Sequence, residues 1–255
     1  MPDPSTDSLT VAVTGASGAL GQALLRRWHG RGAQLIALCH GRAPLQLAGP
    51  DGQPIPLRQV HWQVGEEAAL EPLLEQVDVL VINHGINVHG DCSAAATGRS
   101  LEVNALSAWR LLELFAAVAK RRQGVQRREG ARRAEVWVNT SEAEIQPAVS
   151  PLYEISKRLL GQLLSLRALE LGRSLRLRRL VLGPFRSELN PIGVMDADWV
   201  AGEILRQADW NCNLIVVTIN PLTYVLMPLA TLMRWAYFRA CSREERSEEI
   251  RTPGR

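Results

Sequence analysis

The sequence predicts an α/β fold on a doubly wound parallel sheet, and three observations predict it. Apolar strand-like runs alternate with helix-like stretches through most of the 255 residues. Those runs are apolar along their whole length, as in strands covered on both faces. A glycine-rich turn also joins the first strand to the first helix, where open sheets of this kind meet their ligands. At 46% hydrophobic and 22% charged residues, with 20 Gly and 14 Pro, the composition excludes a disordered, collagen-like or disulfide-stapled chain.

In chain order, residues 10–13 read as a strand, 20–29 as a helix and 35–38 as a strand. Residues 77–83 follow as a strand, 100–121 as a long helix and 135–139 as a strand. Then come a helix at 153–171, a strand at 175–182, a helix at 199–208 and a strand at 214–218. No repeat and no Gly/Ser-rich linker divides the chain. The expected organisation is one nucleotide-binding domain over 1–220 that includes the catalytic site, then an apolar helix and charged tail over 221–255.

Four separated cysteines (Cys39, Cys92, Cys212, Cys241) form no C-x-x-C pair and read as reduced thiols, with no metal site implied. The first residues are acidic and proline-containing where a signal peptide is basic and apolar, so a cytoplasmic protein is expected. Net charge is +3, with a basic run at 120–133. No aromatic is interleaved there for base stacking, so the run reads as a solvated connection and no nucleic-acid partner is expected.

Thr14-Gly15-Ala16-Ser17-Gly18-Ala19-Leu20-Gly21 lies between the first strand and the first helix. Glycines there let a pyrophosphate reach the helix N-terminus. After the second strand, Cys39 stands where NAD-binding chains carry a carboxylate, and His40 and Arg42 are cations suited to a 2′-phosphate. NADP(H), rather than NAD, is the expected cofactor. Asn83-His84-Gly85 ends the next strand on the ligand side, with His84 expected to pack beside the nucleotide. Tyr153 and Lys157 stand four residues apart on one helix face. An ammonium near a phenol lowers its pKa from about 10 and equips it as a general acid/base.

With these motifs in this order, residues 9–217 resemble the short-chain dehydrogenase/reductase family, in its single-domain branch. The resemblance implies a Rossmann-like doubly wound parallel sheet of about seven strands, with helices on both faces. It implies that Asn104 holds a proton-relay water and that Gly183, Pro184 and Ser187 belong to the segment holding the nicotinamide. Leu182 and Ser187 replace the usual Pro and Thr of that segment. A substrate-positioning hydroxyl falls on Ser141 or Thr140, with Ser141 favoured if the following loop is one residue short. Gln63 aligns with the acid that binds the adenine amino group. The implied catalytic set is Asn104, Ser141, Tyr153 and Lys157, with Tyr153 and Lys157 also touching the cofactor.

The implied reaction interconverts a hydroxyl and a carbonyl on a small or lipid-like apolar substrate, by hydride transfer with Tyr153 moving the proton. The alternative is a non-catalytic NADP(H)-binding regulator on the same fold. Only 188–198 is available as a lid, so the cleft is expected to be poorly covered. Residues 210–233 carry no charge, but Asn220-Pro221 splits them. The helical remainder, 222–233, is too short to span a bilayer. Its end, with Trp235, Tyr237, Phe238 and Arg239, suits a membrane interface, and the tail resembles that of a bacterial subgroup grouped with sterol desaturases. Pro228 is expected to bend or restart this helix, and Arg234 and Arg239 to reach lipid phosphates. Peripheral membrane contact and burial in a homo-oligomer (dimer or tetramer) are the competing expectations for this segment.

Overall fold

A strand covered by helices on both faces is mostly apolar, and the first strand shows how this is met. Val11 and Val13 pack with Leu24, Leu25, Trp28, Ile204 and Leu205 on one side of the sheet. Ala12 packs with Leu80, Leu111, Phe115, Leu160 and Leu164 on the other. The computed structural model describes residues 8–125, 132–171 and 174–242. In it β1 (Thr10–Thr14), α1 (Ala19–His29), β2 (Gln34–Cys39) and β3 (Arg58–His61) are followed by α2 (Glu71–Leu74), β4 (Val79–Ile82) and α3 (Ala94–Leu101). Next come α4 (Ser107–Val125), β5 (Ala134–Ser141), α5 (Pro151–Arg167), β6 (Leu175–Leu182), α6 (Ala197–Asp209), β7 (Leu214–Val217) and α7 (Thr223–Cys241).

The seven strands form one sheet in the order β3-β2-β1-β4-β5-β6-β7, each pair parallel. The order reverses between β1 and β4, and a ligand crevice opens beyond the carboxyl ends at such a reversal. This is the Rossmann-like doubly wound sheet expected from the sequence.

Several elements differ from the sequence expectation. β3 was not among the apolar runs because Arg58-Gln59-Val60-His61 is only half-buried; it exists as an edge strand through its pairing with β2. The helix expected at 100–121 begins at Ala94, where Ser93 Oγ accepts from Ala96 N at 3.2 Å. It is then interrupted by a π-helical turn, Glu102–Leu106. Within the basic run, Arg121 pairs with Glu71 and Arg122 with Asp78, whereas 126–131 lie outside the described residues, as does the charged tail from 243 onward.

The last helix departs furthest from expectation. α7 runs 19 residues and continues through Pro228 without a break. Proline forfeits its own amide there, and one lost bond near the start does not stop a helix anchored elsewhere. Arg234 does not point outward toward lipid, as expected. Its guanidinium turns in to Glu144 Oε2 at 2.9 Å, where Arg179 also binds, because a buried carboxylate requires paired cations. Arg239 is exposed and stacks over Trp235 at 5.6 Å. No described helix is long and apolar enough to cross a membrane.

Candidate active site

The glycine turn is built from Thr14 outward. Thr14 Oγ1 accepts from Asn83 N (2.9 Å) and His84 N (3.2 Å), which fastens the end of β4 against the turn. Gly15 has φ +59°, and a Cβ there would lie 3.0 Å from His84 Cα. A Cβ on Gly21 would fall on Gly15 O and 2.8 Å from Ala16 Cα, so both positions require glycine. α1 starts at Gly18 with no side-chain cap and no acid in its first turn. Its first amides and positive dipole end therefore face the crevice, suited to an anion. Ser17 and Gly18 are exposed at this rim, Ala19 is half-buried and Leu20 is buried in the core.

β2 leads to the neighbouring rim. Cys39 is buried, and burial pushes its thiol pKa up against a hydrogen bond from the Ser17 backbone. His40 and Arg42 are exposed, and Arg42 forms no hydrogen bond or ion pair among the described residues. The His40 ring faces His61 at 6.4 Å, and Gln63 Nε2 lies 3.4 Å from His61 Nε2. This rim offers the Arg42 guanidinium, the His40 and His61 imidazoles and the Gln63 amide.

His84 is held between the two halves of the crevice. Besides accepting from both backbone amides, Thr14 Oγ1 donates to Val81 O at 3.4 Å and lies 2.9 Å from His84 Nδ1. The ring stands edge-on to Trp62 at 5.1 Å, with Nε2 buried and unpartnered among the described residues. Burial, aided by the Lys157 charge, holds its pKa down at about 4, so the imidazole is neutral at physiological pH.

Asn104 sits in the π-helical turn, a device that recurs at functional sites. Its Oδ1 accepts from Ile86 N (2.8 Å), and its Nδ2 donates to Ile86 O (3.0 Å) and Ser156 Oγ (3.0 Å). It thus ties the segment after Gly85 to α5, one residue from Lys157.

Ser141 ends β5 and α5 carries Tyr153 and Lys157, and here the structure brings three of the predicted residues together. Ser141 Oγ accepts from Ala143 N at 3.2 Å, donates to Leu182 O at 3.4 Å and lies beside the Tyr153 phenol. Thr140 is spent elsewhere, donating to Leu180 O at 3.1 Å. Lys157 Nζ donates to Asn139 O at 3.1 Å and lies 5.6 Å from the Tyr153 ring centre. Burial lowers the Lys157 pKa to about 8, opposed by the Glu144 charge.

One sequence expectation is reversed. The Tyr153 pKa is raised, because burial outweighs the effect of the neighbouring Ser141 hydroxyl. The nicotinamide segment is folded back on itself. Gly183 N donates to Val217 O (2.9 Å), Pro184 O accepts from Val194 N (3.0 Å), and Ser187 Oγ accepts from Asn190 N (3.2 Å). No hydrogen bond joins this segment to Tyr153 among the described residues. Sequence reasoning missed Thr14, Asn139 and Ser156 as positioning groups, since each is an ordinary polar residue until the fold aims it.

The residues present fit a dinucleotide, on the uncapped α1 N-terminus and on the space that Gly15 and Gly21 keep open. The sequence model of the NAD dependent epimerase/dehydratase family matches residues 11–137. The chain is 43% identical over 234 residues to a monoglucosyldiacylglycerol epimerase of Synechocystis sp. (strain ATCC 27184 / PCC 6803 / Kazusa), covering 92% of this chain and 55% of that protein. The chain thus spans about half the length of this curated relative.

Solved structures with the same fold include a short-chain dehydrogenase from Sphingobium yanoikuyae in complex with NADPH (TM-score 0.72, 18% identity, 94% of this chain and 98% of that one). Another is a short chain dehydrogenase from Burkholderia cenocepacia J2315 in complex with NADP (TM-score 0.72, 16% identity, 92% and 98%). A third is the bulky-bulky ketone specific alcohol dehydrogenase of Comamonas testosteroni (TM-score 0.71, 17% identity, 97% and 100%).

Proposed function

We propose that the chain is an NADP(H)-dependent enzyme of the short-chain dehydrogenase/reductase type, interconverting a secondary hydroxyl and a carbonyl on a lipid-like substrate. The observation that carries this reading is the Ser141–Tyr153–Lys157 cluster at the carboxyl edge of the sheet, beside the glycine turn. In this reading Gly15, Ser17, Gly18, Ala19, Leu20 and Gly21 hold the pyrophosphate, and Asn83, His84 and Gly85 the adenosine half. His40 and Arg42 take the 2′-phosphate, and Gly183, Pro184 and Ser187 flank the nicotinamide.

Bound there, the cofactor supplies hydride exchange with the substrate carbon. The Ser141 and Tyr153 hydroxyls donate to the substrate oxygen, and Tyr153 passes the proton as that oxygen changes between alkoxide and alcohol. Lys157 holds the nicotinamide ribose and offsets negative charge as it develops on the phenol. Asn104 keeps α5 at its distance from the cofactor edge. The raised phenol pKa suits the step that delivers a proton to a nascent alkoxide.

A second form of the same chemistry is favoured by the glycolipid epimerase likeness. Oxidation of one sugar carbinol and reduction of the resulting ketone from its other face inverts that carbon with no net redox change. Both forms use the same proton transfer at Tyr153.

Two measurements test this. Incubation with monoglucosyldiacylglycerol and NADP+, followed by mass spectrometry and sugar NMR, is expected to give a keto or inverted product. Tyr153→Phe should lower that rate about 10²–10⁴-fold while NADPH affinity stays close to unchanged. A Tyr153→Phe variant with most of its activity would exclude the mechanism, and NADP(H) binding without turnover of any carbonyl or glycolipid would establish the regulator instead. Replacing both His40 and Arg42 by Ala should cost NADP(H) affinity about tenfold or more per lost charged contact and leave NAD(H) affinity unaffected, read by calorimetry.

A further inference from the structure

We propose that the outer face of α7 and the apolar rim of the substrate cleft form one surface that rests on a lipid leaflet, so that substrate enters the cleft from the membrane plane. The substrate part rests on the lipid-like reading above; the surface stands on two observations of its own.

First, α7 is amphipathic the wrong way round for a helix facing water. Its inner stripe is held by hydrogen bonds as well as by Met227, which is buried on Val181 and Val216. Thr223 Oγ1 donates to Glu142 Oε2 at 3.0 Å, and Arg234 binds Glu144 one face further along, with Met227 the buried apolar residue between them. Its outer stripe is Val225, Leu229, Leu232 and Met233, each more than half exposed at helical spacing. A helix bordered by water places these the other way. α7 contains no carboxylate, and its exposed cation, Arg239, lies over Trp235, a pairing suited to lipid phosphates at the interface. No described helix, α7 included, is long and apolar enough to cross a bilayer.

Second, the same apolar character continues around the cleft. Val149, four residues before Tyr153, is 99% exposed and has φ +58°. A β-branched residue in that conformation is strained and persists only where its surroundings enforce it. Ala148 N donates to Glu154 Oε1 (2.7 Å), and Ser150 Oγ donates to Asn87 Oδ1 (2.8 Å), fixing the loop on either side. Asn87 Nδ2 reaches across to Leu189 O at 3.5 Å, in the loop that exposes Ile192 (89%) and Val194 (63%). The start of α7 joins the same edge, because Thr218 and Thr223 both donate to Glu142, the residue after Ser141. Three exposed apolar segments therefore spring from the edge of the sheet that carries Ser141. A leaflet pressed against them would cover the cleft that the short 188–198 segment leaves open.

The test is flotation of the full chain with phosphatidylcholine vesicles, with and without phosphatidylglycerol, alongside Leu229→Glu, Met233→Glu and Ile192→Asp. The unmodified protein is expected to float, more so with phosphatidylglycerol. Each substitution should lower the bound fraction about tenfold or more, because a buried aliphatic chain is lost and a charge gained. NADPH affinity and the unfolding midpoint should stay unchanged. A protein that stays unbound to both vesicles overturns the proposal, and so does a stable dimer split by the same substitutions, since a second copy would then cover the face. Turnover of monoglucosyldiacylglycerol dispersed in detergent separates the two readings. Turnover without flotation sinks the surface and keeps the function, whereas flotation without turnover keeps the surface and sinks the function.

Discussion

α6 and α7 stand next to each other in sequence, both rich in apolar residues, yet they meet their surroundings in opposite ways. α6 buries Val200, Ala201, Ile204 and Leu205 against the sheet and α1 and exposes Arg206. α7 buries Thr223 and Met227, directs Arg234 inward and exposes Val225, Leu229, Leu232 and Met233. α6 packs mainly through apolar side chains, whereas α7 combines a polar network centred on Glu142 and Glu144 with a single buried apolar contact, Met227 on Val181 and Val216. Apolar content alone therefore does not say which side of a helix faces the core.

The largest expected difference between the two comes from trimming equivalent aliphatic side chains. Ile204→Ala should cost about 2–5 kcal/mol of stability, because the cavity lies in a closed core. Leu229→Ala, half exposed, should change stability by less than about 0.5 kcal/mol. Urea unfolding of both variants checks this, and equal costs would mean that the outer face of α7 is already buried in an assembly. Smaller, and of opposite placement, is the effect of the arginines on α7. Arg234→Met should cost about 1–3 kcal/mol, since Glu144 stays buried with one cation fewer, while Arg239→Met should cost close to nothing; thermal unfolding distinguishes them.

The smallest difference lies at the helix starts. Asp196 caps α6 by accepting from Asp198 N (2.9 Å) and Trp199 N (3.1 Å), whereas Leu222 gives α7 no side-chain cap. Asp196→Ala should therefore cost about 1 kcal/mol in the same unfolding assay, and a neutral result would show that packing alone holds α6.

Much of the fold was legible in the residues. β1 and β4 announce themselves as apolar runs, since both faces are covered. β6 instead carries Arg176, Arg178 and Arg179, whose acidic partners only the fold supplies. The glycine turn is legible because backbone approach excludes a Cβ. β3 was not legible, because an edge strand with one wet side needs no apolar run. Nor was the π-helical turn that seats Asn104, since nothing in Glu102–Leu106 departs from ordinary helical composition. The choice between Ser141 and Thr140 turned on loop length, and in the fold each hydroxyl donates to a carbonyl of β6, Thr140 to Leu180 O and Ser141 to Leu182 O.

By itself the sequence determined the doubly wound sheet, the glycine turn between β1 and α1 and the neighbours Tyr153 and Lys157. These follow from local rules: periodicity of burial, the missing Cβ of glycine and the pitch of a helix. Only the tertiary structure decided the protonation environment of those same residues. Burial raises Tyr153 and lowers Lys157 and His84, and burial is set by what distant segments bring to a site. The orientation of α7 was decided in the same way. Glu144 lies 90 residues before Arg234, and a carboxylate with no access to water draws that arginine inward and turns the leucines out.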